Sequence, residues 1–458
     1  MLLSFIILYL LCTLLVGVLS ARLIKNSTDF ILAGRRLPLI LAASALFATW
    51  FGSETVLGAS SEFVQHGILG VIEDPFGAAL CLLLVGIFFA RPLYKMKLLT
   101  IGDFYRNRFG KKVELISSIF MVLSYFGWIA AQLVAMGIIL HAVANIPYTY
   151  GVLLGAAIVI IYTYIGGMWA ISITDFIQTV IIISGLVYLA VDLSGQAGGV
   201  STVLTNTPDG FFQFYPDLTW EDNIHYFAAW ITIGLGSIAQ QDVFQRVMAS
   251  RNVKVAVNAS YLSAFMYLSV GIIPLFIGLC TLQVYPEMVT SIKDSQLVLP
   301  TVVLTHTSMP LQILFFGALI SAIMSTTSGA ILAPASILAE NIIKPFTKNS
   351  SDTYLLRAVR VSVILIALIA TIMANLQSNI YELVGQSSAL SLVSLFVPLT
   401  AGLYWKRATE IGALLAMCAG MLVWLWFEFS GFSIPSLIPG LMASVAGQLV
   451  GDAWHRYR

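Results

Sequence analysis

Residues 48–54 read ATWFGSE and residues 234–242 read GLGSIAQQD, and both stretches interrupt long apolar segments. Each has glycine and polar side chains where a helix surrounded by lipid would have leucine or isoleucine. Close packing of neighbouring helices through small residues would explain either stretch on its own. Because the two stretches lie at matching positions in two halves of the chain, we instead predict that each breaks a membrane-spanning helix.

The composition predicts that lipid surrounds most of the chain. The protein has 458 residues, of which 59% are hydrophobic and only 10% are charged, whereas a soluble domain has about 25% charged residues. A helix needs about 20 apolar residues to cross the hydrocarbon layer, which predicts an all-α polytopic membrane protein of about thirteen spans. We assign the spans to residues 2–21, 38–65, 70–90, 115–143, 150–166, 170–192, 224–241, 256–281, 311–340, 359–376, 380–404, 410–429 and 435–452.

The predicted spans divide into two units of five helices, the second to sixth and the seventh to eleventh. Because each unit has an odd number of spans, the second unit enters the membrane from the opposite side. This arrangement is an inverted-topology repeat. The two polar stretches then fall in the first helix of each unit. The predicted organisation is an N-terminal helix and cytoplasmic loop (1–37), a first repeat (38–193), an outer loop (194–223), a second repeat (224–405) and two C-terminal helices (406–458).

Lys and Arg are confined almost entirely to one set of alternate connections. They follow the first, third, seventh, ninth and eleventh predicted spans and recur at the C-terminus, whereas Lys293 falls in an opposite connection. Short cytoplasmic loops retain positive charge. We therefore predict a protein of the cell membrane with its N-terminus outside and its C-terminus in the cytoplasm. This pattern assigns Arg246 to a cytoplasmic loop.

Other function classes find little support in the sequence. The net charge of +1 does not indicate a nucleic acid partner, the five histidines are scattered, and the four cysteines lie in apolar segments without metal-ligand spacing. We predict that the protein is not an enzyme. Its expected partners are the lipid bilayer and a small solute, and we expect it to function as a monomer.

Residues 321–329 form a run rich in hydroxyl groups in the middle of the ninth predicted span. Hydroxyls in a helix commonly donate to the carbonyl four residues back. If the second span is unwound near Ala48 and Phe51, its free carbonyl oxygens can join the carbonyl of Ala322 and the hydroxyls of Ser325 and Thr326. A cage of neutral oxygens suits a hard cation that must bind and then leave. We predict that these five residues bind a sodium ion.

Several motifs resemble those of the solute:sodium symporter family. They are GGMW at 166–169 with TDFIQ at 174–178, FQRV at 244–247, residues 322–328, and WKR at 405–407 before Gly412-Ala413. The motifs extend over nearly the whole chain. The resemblance therefore implies the inverted-repeat fold of the leucine transporter and import driven by sodium. By position, it also implies sodium ligands at the five residues of the oxygen cage.

Asp175 lies near the start of the sixth predicted span, where a helix N-cap or first-turn acid is favourable. In family members with a second sodium ion, the resemblance puts this carboxylate beside hydroxyls of the ninth span. Ser325 and Ser328 match that pattern, whereas Gly329 stands where a further hydroxyl is expected. We assign Asp175 and Ser328 to a second cation site or to the ion exit path.

Within the family, the sequence most resembles the high-affinity choline transporters, through FFARP at 88–92, Leu299-Pro300 and FFG at 315–317. In that branch, aromatic side chains enclose a quaternary ammonium group, and Trp50 and Trp128 fall on two such positions. Gln240 replaces a third aromatic residue, which weakens a cation–π attraction of about 2 kcal/mol per desolvated face. The predicted substrate-binding residues are Trp50, Glu54, Trp128, Gln132, Gln240 and Gln386.

Glu54 leaves the class of substrate open, although a carboxylate in the membrane is costly and usually functional. An ionised Glu54 favours an amine, whereas a protonated one can donate a hydrogen bond to a carboxylate or hydroxyl. A structural hydrogen bond to another helix is the alternative. Glu62, Glu73 and Asp74 lie nearer the outer mouth, where we expect a solvated acidic rim that concentrates cations.

These residues together predict a sodium-coupled symporter that imports a small organic solute. An amine-bearing or quaternary ammonium compound is the preferred substrate, followed by a proline-like amino acid and then a small carboxylate. Two other functions stay open. One is a transporter of the same fold driven by protons, with Glu54 or Asp175 as the titrating group, and the other is a membrane sensor that binds a solute without moving it.

Overall fold

A computed structural model of the protein describes residues 2–217, 219–292, 294–347 and 351–454. Over these ranges the chain is helical and contains no strand, although Leu37 and Ser250 form an isolated parallel bridge. The helices are α1 (Leu2–Ser20), α2 (Ser27–Leu32), α3 (Leu39–Trp50), α4 (Ser60–His66), α5 (Ala78–Leu84), α6 (Ala90–Lys95), α7 (Ile101–Phe109), α8 (Lys111–Ala144), α9 (Tyr148–Gln196), α10 (Val200–Thr205), α11 (Trp220–Gly236), α12 (Gln241–Ala249), α13 (Val253–Val284), α14 (Pro286–Ser291), α15 (Val298–His306), α16 (Met309–Ile337), α17 (Asp352–Ala374), α18 (Ile380–Ser391), α19 (Val397–Tyr404), α20 (Glu410–Ser430) and α21 (Leu437–Trp454).

Nine helical segments of the described residues are long and apolar enough to cross a membrane, so the predicted count of about thirteen is not confirmed. One reason is that α9, a segment of 49 residues, consists of two helices that follow each other directly and contain the fifth and sixth predicted spans. It bends at Gly167, whose φ of 49° suits glycine. A second reason is that α3 and α11 have only 12 and 17 residues, because each ends at a break.

Both interruptions predicted from the sequence are present. α3 ends at Trp50, and Phe51 has a non-helical ψ of 78° before a helical turn resumes at Glu54. After α11, Gln240 is extended with φ −81° and ψ 147°, and α12 starts at Gln241. A helix end leaves its last carbonyl groups without intrahelical partners. Each break therefore exposes backbone oxygens inside the protein.

The broken helices lie in the centre of the bundle. α3 packs against α9, α13 and α16, and α12 packs against α3, α13 and α16. Residues 315–337 of α16 are all buried, so protein encloses this helix on every side. Large apolar side chains are instead exposed on other helices, with Phe265 at 70% and Leu422 at 67%. Such a surface is what contact with lipid requires.

The loops that carry Lys and Arg contact one another at one end of the bundle, which we call the basic end. Arg35 donates to the carbonyl of Leu98 at 2.7 Å, and Arg108 donates to the carbonyls of Gly402 and Trp405 at 3.0 Å each. The basic segments around Arg35 and Arg108 thus contact other basic segments of the predicted cytoplasmic side. Lys293, Lys348, Arg456 and Arg458 lie outside the described residues.

Candidate functional site

Two hydroxyl groups of α16 are bonded to the end of α3. The carbonyl oxygen of Ala48 accepts hydrogen bonds from Ser325 Oγ at 2.9 Å and from Thr326 Oγ1 at 3.2 Å. In an unbroken helix this carbonyl would accept from the amide of Gly52, but that amide donates to the Trp50 carbonyl at 2.9 Å instead. The break in α3 therefore frees a backbone oxygen for two side chains, as the sequence predicts.

The other predicted sodium ligands lie on the same two segments. Phe51 and Ala322 are fully buried, and the Phe51 ring stacks on Phe47 with ring centroids 4.8 Å apart. The five predicted ligand residues offer only carbonyl and hydroxyl oxygens, which suit a hard cation. Within the described ranges, no group of three His, Cys, Asp or Glu side chains could hold a metal ion. The donor set therefore fits sodium.

Asp175 extends this oxygen cluster from α9. Its Oδ1 lies 2.5 Å from Ser325 Oγ, whose single hydrogen can be donated either to this oxygen or to the Ala48 carbonyl, whereas its Oδ2 has no hydrogen-bond partner in the described part of the chain. The residue is fully buried and lies about two turns beyond the bend at Gly167, not at a helix N-terminus. Ser328 Oγ donates to the Ser325 carbonyl of its own helix at 2.9 Å. Thus Asp175 contacts the side chain of the predicted sodium ligand Ser325, whereas Ser328 bonds to its backbone carbonyl.

The location of Arg246 in the structure differs from the location predicted for it. The charge pattern assigns it to a cytoplasmic loop, but it is fully buried on α12, where its Nη1 donates to the Asp242 carbonyl at 3.3 Å. Burial follows from the break, because α12 is the second half of a helix that lies in the centre of the bundle. Asp242 and Asp175 are the nearby acids whose charge attracts the guanidinium, although neither forms an ion pair with it within 4 Å and its Nε and Nη2 have no hydrogen-bond partner among the described residues. A Cβ on Gly329 would lie 2.3 Å from Arg246 Nη2, so glycine leaves room for this guanidinium.

Asp242 fixes the position of an aromatic residue predicted to bind substrate. Its Oδ2 accepts from Trp50 Nε1 at 2.6 Å, and its Oδ1 accepts from the Tyr125 hydroxyl at 2.5 Å. The Tyr125 and Trp128 rings stack with centroids 5.9 Å apart. Asp242 therefore has a side-chain donor for each oxygen, and it holds Trp50 on one side while Tyr125 supports Trp128.

A narrow cavity of about 20 Å³, which is room for about one water molecule, lies between the two broken helices. It is lined by four predicted substrate residues, Trp50, Glu54, Trp128 and Gln240, and by Asp74, Ala78, Ile233, Ser237, Tyr267, Val384, Ser387 and Ser388. Gln386 lies outside this lining, because it is half-buried elsewhere and its amide donates to Glu382 at 3.2 Å. The cavity therefore brings together most of the predicted substrate residues.

Glu54, Trp128 and Gln132 form one buried network. Glu54 Oε1 accepts from Trp128 Nε1 at 2.9 Å, and Glu54 Oε2 accepts from Gln132 Nε2 at 2.7 Å. Gln132 is itself positioned by Ser53, whose backbone N–H and hydroxyl both donate to Gln132 Oε1 at 3.0 Å. Glu54 thus forms hydrogen bonds to another helix and also places its carboxylate at the cavity. The two alternatives considered for Glu54 do not exclude each other.

Asp74 lines the same cavity, whereas the sequence suggests a solvated rim. Its exposed fraction is 0%, and its backbone leaves the helical region with φ −143° and ψ 119°, which brings the side chain to Thr55 and Tyr267. Asp74 Oδ2 accepts from Thr55 Oγ1 at 2.7 Å and lies 3.3 Å from the Tyr267 hydroxyl, whose single hydrogen is donated to the nearer Trp50 carbonyl at 2.9 Å. Asp74 Oδ1 has no hydrogen-bond partner among the residues described. A single non-helical residue thus moves this acid from the rim into the cavity.

Glu62 and Glu73 keep positions closer to those predicted. Both are partly exposed, and Glu62 pairs with His66 at 3.2 Å. Glu73 lines a second, more open cavity together with Asp217 and Asp222. These residues form an acidic surface outside the narrow cavity.

The sequence model of the sodium:solute symporter family matches residues 30–420. This range includes both broken helices, the oxygen cluster and the narrow cavity. The chain belongs to the sodium:solute symporter family. It is therefore a multi-pass membrane transporter and not an enzyme, as predicted.

Curated relatives in this family transport different solutes. The human high affinity choline transporter 1 is 29% identical over 438 residues, which cover 91% of this chain and 75% of that protein. The osmoregulated proline transporter OpuE of Bacillus subtilis is 27% identical over 466 residues, which cover 96% of this chain and 92% of that protein. The relatives thus support symport coupled to sodium and leave the solute to be argued from the cavity.

A solved structure has the same fold. The substrate-bound outward-open state of a Na⁺-coupled sialic acid symporter superposes with a TM-score of 0.86 at 21% identity, covering 99% of this chain and 98% of that chain. The complex of MhsT with L-phenylalanine superposes with a TM-score of 0.56 at 14% identity. These similarities confirm the all-helical transporter fold.

Proposed function

We propose that this protein is a sodium-coupled symporter that imports a small organic cation, preferably an amine-bearing solute, across the cell membrane. Sodium binds at Ala48, Phe51, Ala322, Ser325 and Thr326, with Asp175 beside them. The solute binds in the narrow cavity among Trp50, Glu54, Trp128 and Gln240. The chain crosses the membrane about thirteen times as two inverted repeats with flanking helices, with the N-terminus outside and the C-terminus in the cytoplasm.

The position of Gly52 is the main support for this proposal, because this residue lies between the proposed sodium site and the proposed solute site. A Cβ on Gly52 would be 2.7 Å from Thr326 Oγ1, 2.7 Å from Gln132 Oε1 and 2.5 Å from Glu54 Oε2. The unwound segment therefore separates a sodium ligand from the Glu54 network by no more than its own backbone. Coupled transport requires that each ligand change the affinity for the other. This shared segment supports such coupling.

The charges around the cavity favour a cationic solute. Glu54 and Asp74 both line it, while its lining contains no Lys, Arg or His among the described residues. An ionised carboxylate that is buried without a counter-charge is strongly unfavourable. An ammonium group would supply that charge, and the rings of Trp50 and Trp128 would add cation–π attraction.

A zwitterionic amino acid is the second candidate, since the proline transporters OpuE and PutP of Bacillus subtilis are among the relatives. The ammonium group of an amino acid would meet the same two acids. Its carboxylate would need a positive partner, which the bound sodium ion would have to provide. A direct comparison of amines with proline therefore separates the two candidates.

Uptake into proteoliposomes tests the proposed function. Vesicles that contain the purified full chain, with potassium inside and sodium outside, should accumulate a radiolabelled small amine above its external concentration. Replacing external sodium with potassium should reduce uptake to that of vesicles without protein. Labelled proline and acetate, measured in the same vesicles, should accumulate less than the amine.

Two other results would contradict the proposal. Uptake that follows a pH gradient and ignores sodium would instead support proton coupling through Glu54 or Asp175. Sodium-dependent binding of solute to the purified chain, without uptake into intact vesicles, would instead support a sensor.

A further inference from the structure

Asp74 provides a hydrogen-bond acceptor that the described part of the chain leaves unused. The residue is fully buried and lines the narrow cavity, yet its Oδ1 has no partner within the described ranges. Buried polar atoms in folded proteins nearly always have a partner, which is protein, ordered water or ligand. A donor that enters the cavity, either a water molecule or a group of the solute, would satisfy Oδ1.

The surroundings of Asp74 hold its side chain in place. Its other oxygen, Oδ2, accepts a hydrogen bond from Thr55 and lies 3.3 Å from the Tyr267 hydroxyl. The Tyr267 hydroxyl lies 2.8 Å from Thr55 Oγ1 and 2.9 Å from the carbonyl of Trp50, to which it donates. Because the two hydroxyls are themselves connected to the end of α3, the carboxylate cannot rotate to seek another donor without breaking this network.

Glu54 differs from Asp74 in this respect. Its two oxygens already accept from the N–H groups of Trp128 and Gln132. Glu54 therefore contributes negative charge to the cavity, whereas Asp74 contributes negative charge and a free acceptor. A solute that satisfies both acids needs a positive charge and a hydrogen that it can donate.

We infer that the cationic group of the solute carries at least one N–H and donates it to Asp74 Oδ1. This inference rests on the proposed function and narrows its substrate class to primary, secondary and tertiary amines. A quaternary ammonium group has the charge but no donor, so it would leave Oδ1 unsatisfied. Sites that hydrogen-bond a substrate group discriminate strongly against an analogue that lacks the donor.

A series of four ligands that differ only in N-methylation tests this inference. Ethanolamine, N-methylethanolamine, N,N-dimethylethanolamine and choline are titrated into the purified full chain by calorimetry, with sodium and with potassium. The dimethyl compound and choline are nearly equal in size and charge, but only the first donates N–H. In sodium, we expect the dimethyl compound to bind at least about tenfold more tightly than choline.

Two variants identify the residue responsible. Asp74→Asn has nearly the same shape but directs an amide to Thr55, Tyr267 and the cavity, so the preference for the dimethyl compound over choline should disappear. Glu73→Gln is the matched control, because Glu73 is the adjacent acid and lines the outer cavity instead. It should keep the preference of the wild type. Thermal stabilisation by sodium verifies that both variants retain the folded sodium site.

Each outcome has one meaning. Sodium-dependent binding with choline equal to or tighter than the dimethyl compound would overturn the inference and leave the proposed symport intact. Retention of the preference in Asp74→Asn, or its loss in Glu73→Gln, would also overturn it. Equal binding of the amines in sodium and potassium, with the preference kept, would overturn the sodium coupling alone. Absence of binding by all four compounds would overturn both.

Discussion

The buried acids near the sodium ligands and those of the solute cavity differ in where their counter-charge comes from. Asp175 and Asp242 interact with the guanidinium of Arg246, which belongs to the chain. Glu54 and Asp74 line a cavity whose described lining includes no basic side chain. Buried charge without a partner is strongly unfavourable. The chain therefore neutralises much of the first region itself and leaves the second to the solute.

The charges of the first region also limit how many sodium ions it can hold. When Asp175 and Asp242 are both ionised, two negative charges and the one positive charge of Arg246 leave a single negative charge. One sodium ion balances it, whereas a second would leave an uncompensated positive charge. The guanidinium lies against Gly329, the position where the sequence resemblance implies a hydroxyl in family members with a second sodium ion. We therefore propose one sodium ion for each transported solute.

Removal of the internal cation should have the largest effect. Arg246→Gln leaves two buried acids with less positive charge, and loss of one partner of a buried charge group costs about 3–5 kcal/mol. We expect a clear decrease in thermal stability and in yield from membranes. Arg91→Gln, which changes an exposed arginine on α6, is the control and should behave like the wild type. Equal melting temperatures for the two variants would contradict the claim that Arg246 neutralises the buried acids near the sodium ligands.

Loss of a sodium ligand should have the next largest effect. Thr326→Ala removes a hydroxyl that contacts the Ala48 carbonyl at 3.2 Å. A hydrogen bond to a charged group contributes about 1.5–3 kcal/mol, so apparent sodium affinity should fall about ten- to a hundredfold. The measurement is the sodium dependence of amine uptake, and Thr326→Ser should restore it. Unchanged sodium dependence in the alanine variant would remove the proposed ion site.

Displacement of Arg246 should have a smaller effect than its removal. In Gly329→Ser the new Cβ would lie 2.3 Å from Arg246 Nη2, and overpacking of this kind costs about 1–3 kcal/mol. Gly317→Ser is a matched substitution on the same helix, where the nearest atom to a Cβ would be 3.8 Å away on Phe5. Thermal unfolding should separate the two variants. Equal stability would show that the guanidinium does not pack against Gly329.

The smallest effect is expected at the edge of the solute region. Gln386 lies outside the cavity lining and bonds to Glu382, so Gln386→Ala should change solute affinity by no more than about 0.5 kcal/mol. Gln132→Ala removes a donor to Glu54 and should weaken solute binding by about tenfold. Calorimetric titration of both variants checks this order. A reversed order would restore Gln386 to the solute site.

The local sequence was sufficient to predict the two helix breaks, because each break is rich in glycine and polar residues. Glycine and polar residues at 48–54 and 234–242 correctly indicate the breaks at Phe51 and Gln240. Once α3 is broken, its free carbonyl at Ala48 and the hydroxyls of Ser325 and Thr326 are complementary in chemistry, and they are in contact. Interrupted composition and hydrogen-bond requirements therefore lead from the sequence to this oxygen cluster, and its binding of sodium stays a prediction.

Asp74 and Arg246 were misplaced because their burial depends on tertiary structure. An acid near the predicted outer end of a span is usually solvated, and only the non-helical backbone at Asp74 brings it to Tyr267. Arg246 follows an apolar segment and counts as a loop cation until α12 is seen to continue inside the bundle. The only sequence signal for Arg246 is the FQRV motif, and the absent hydroxyl at Gly329 gives no hint of the guanidinium that fills its place.

Reciprocal binding of sodium and amine tests the central claim most directly. The dissociation constant of sodium is measured for the purified full chain by calorimetry, with and without saturating N,N-dimethylethanolamine, and that of the amine is measured with sodium and with potassium. Because Gly52 joins the two sites, each ligand should increase the affinity for the other by the same factor. Dissociation constants that do not change in either direction would contradict coupling between the sodium region and the solute cavity.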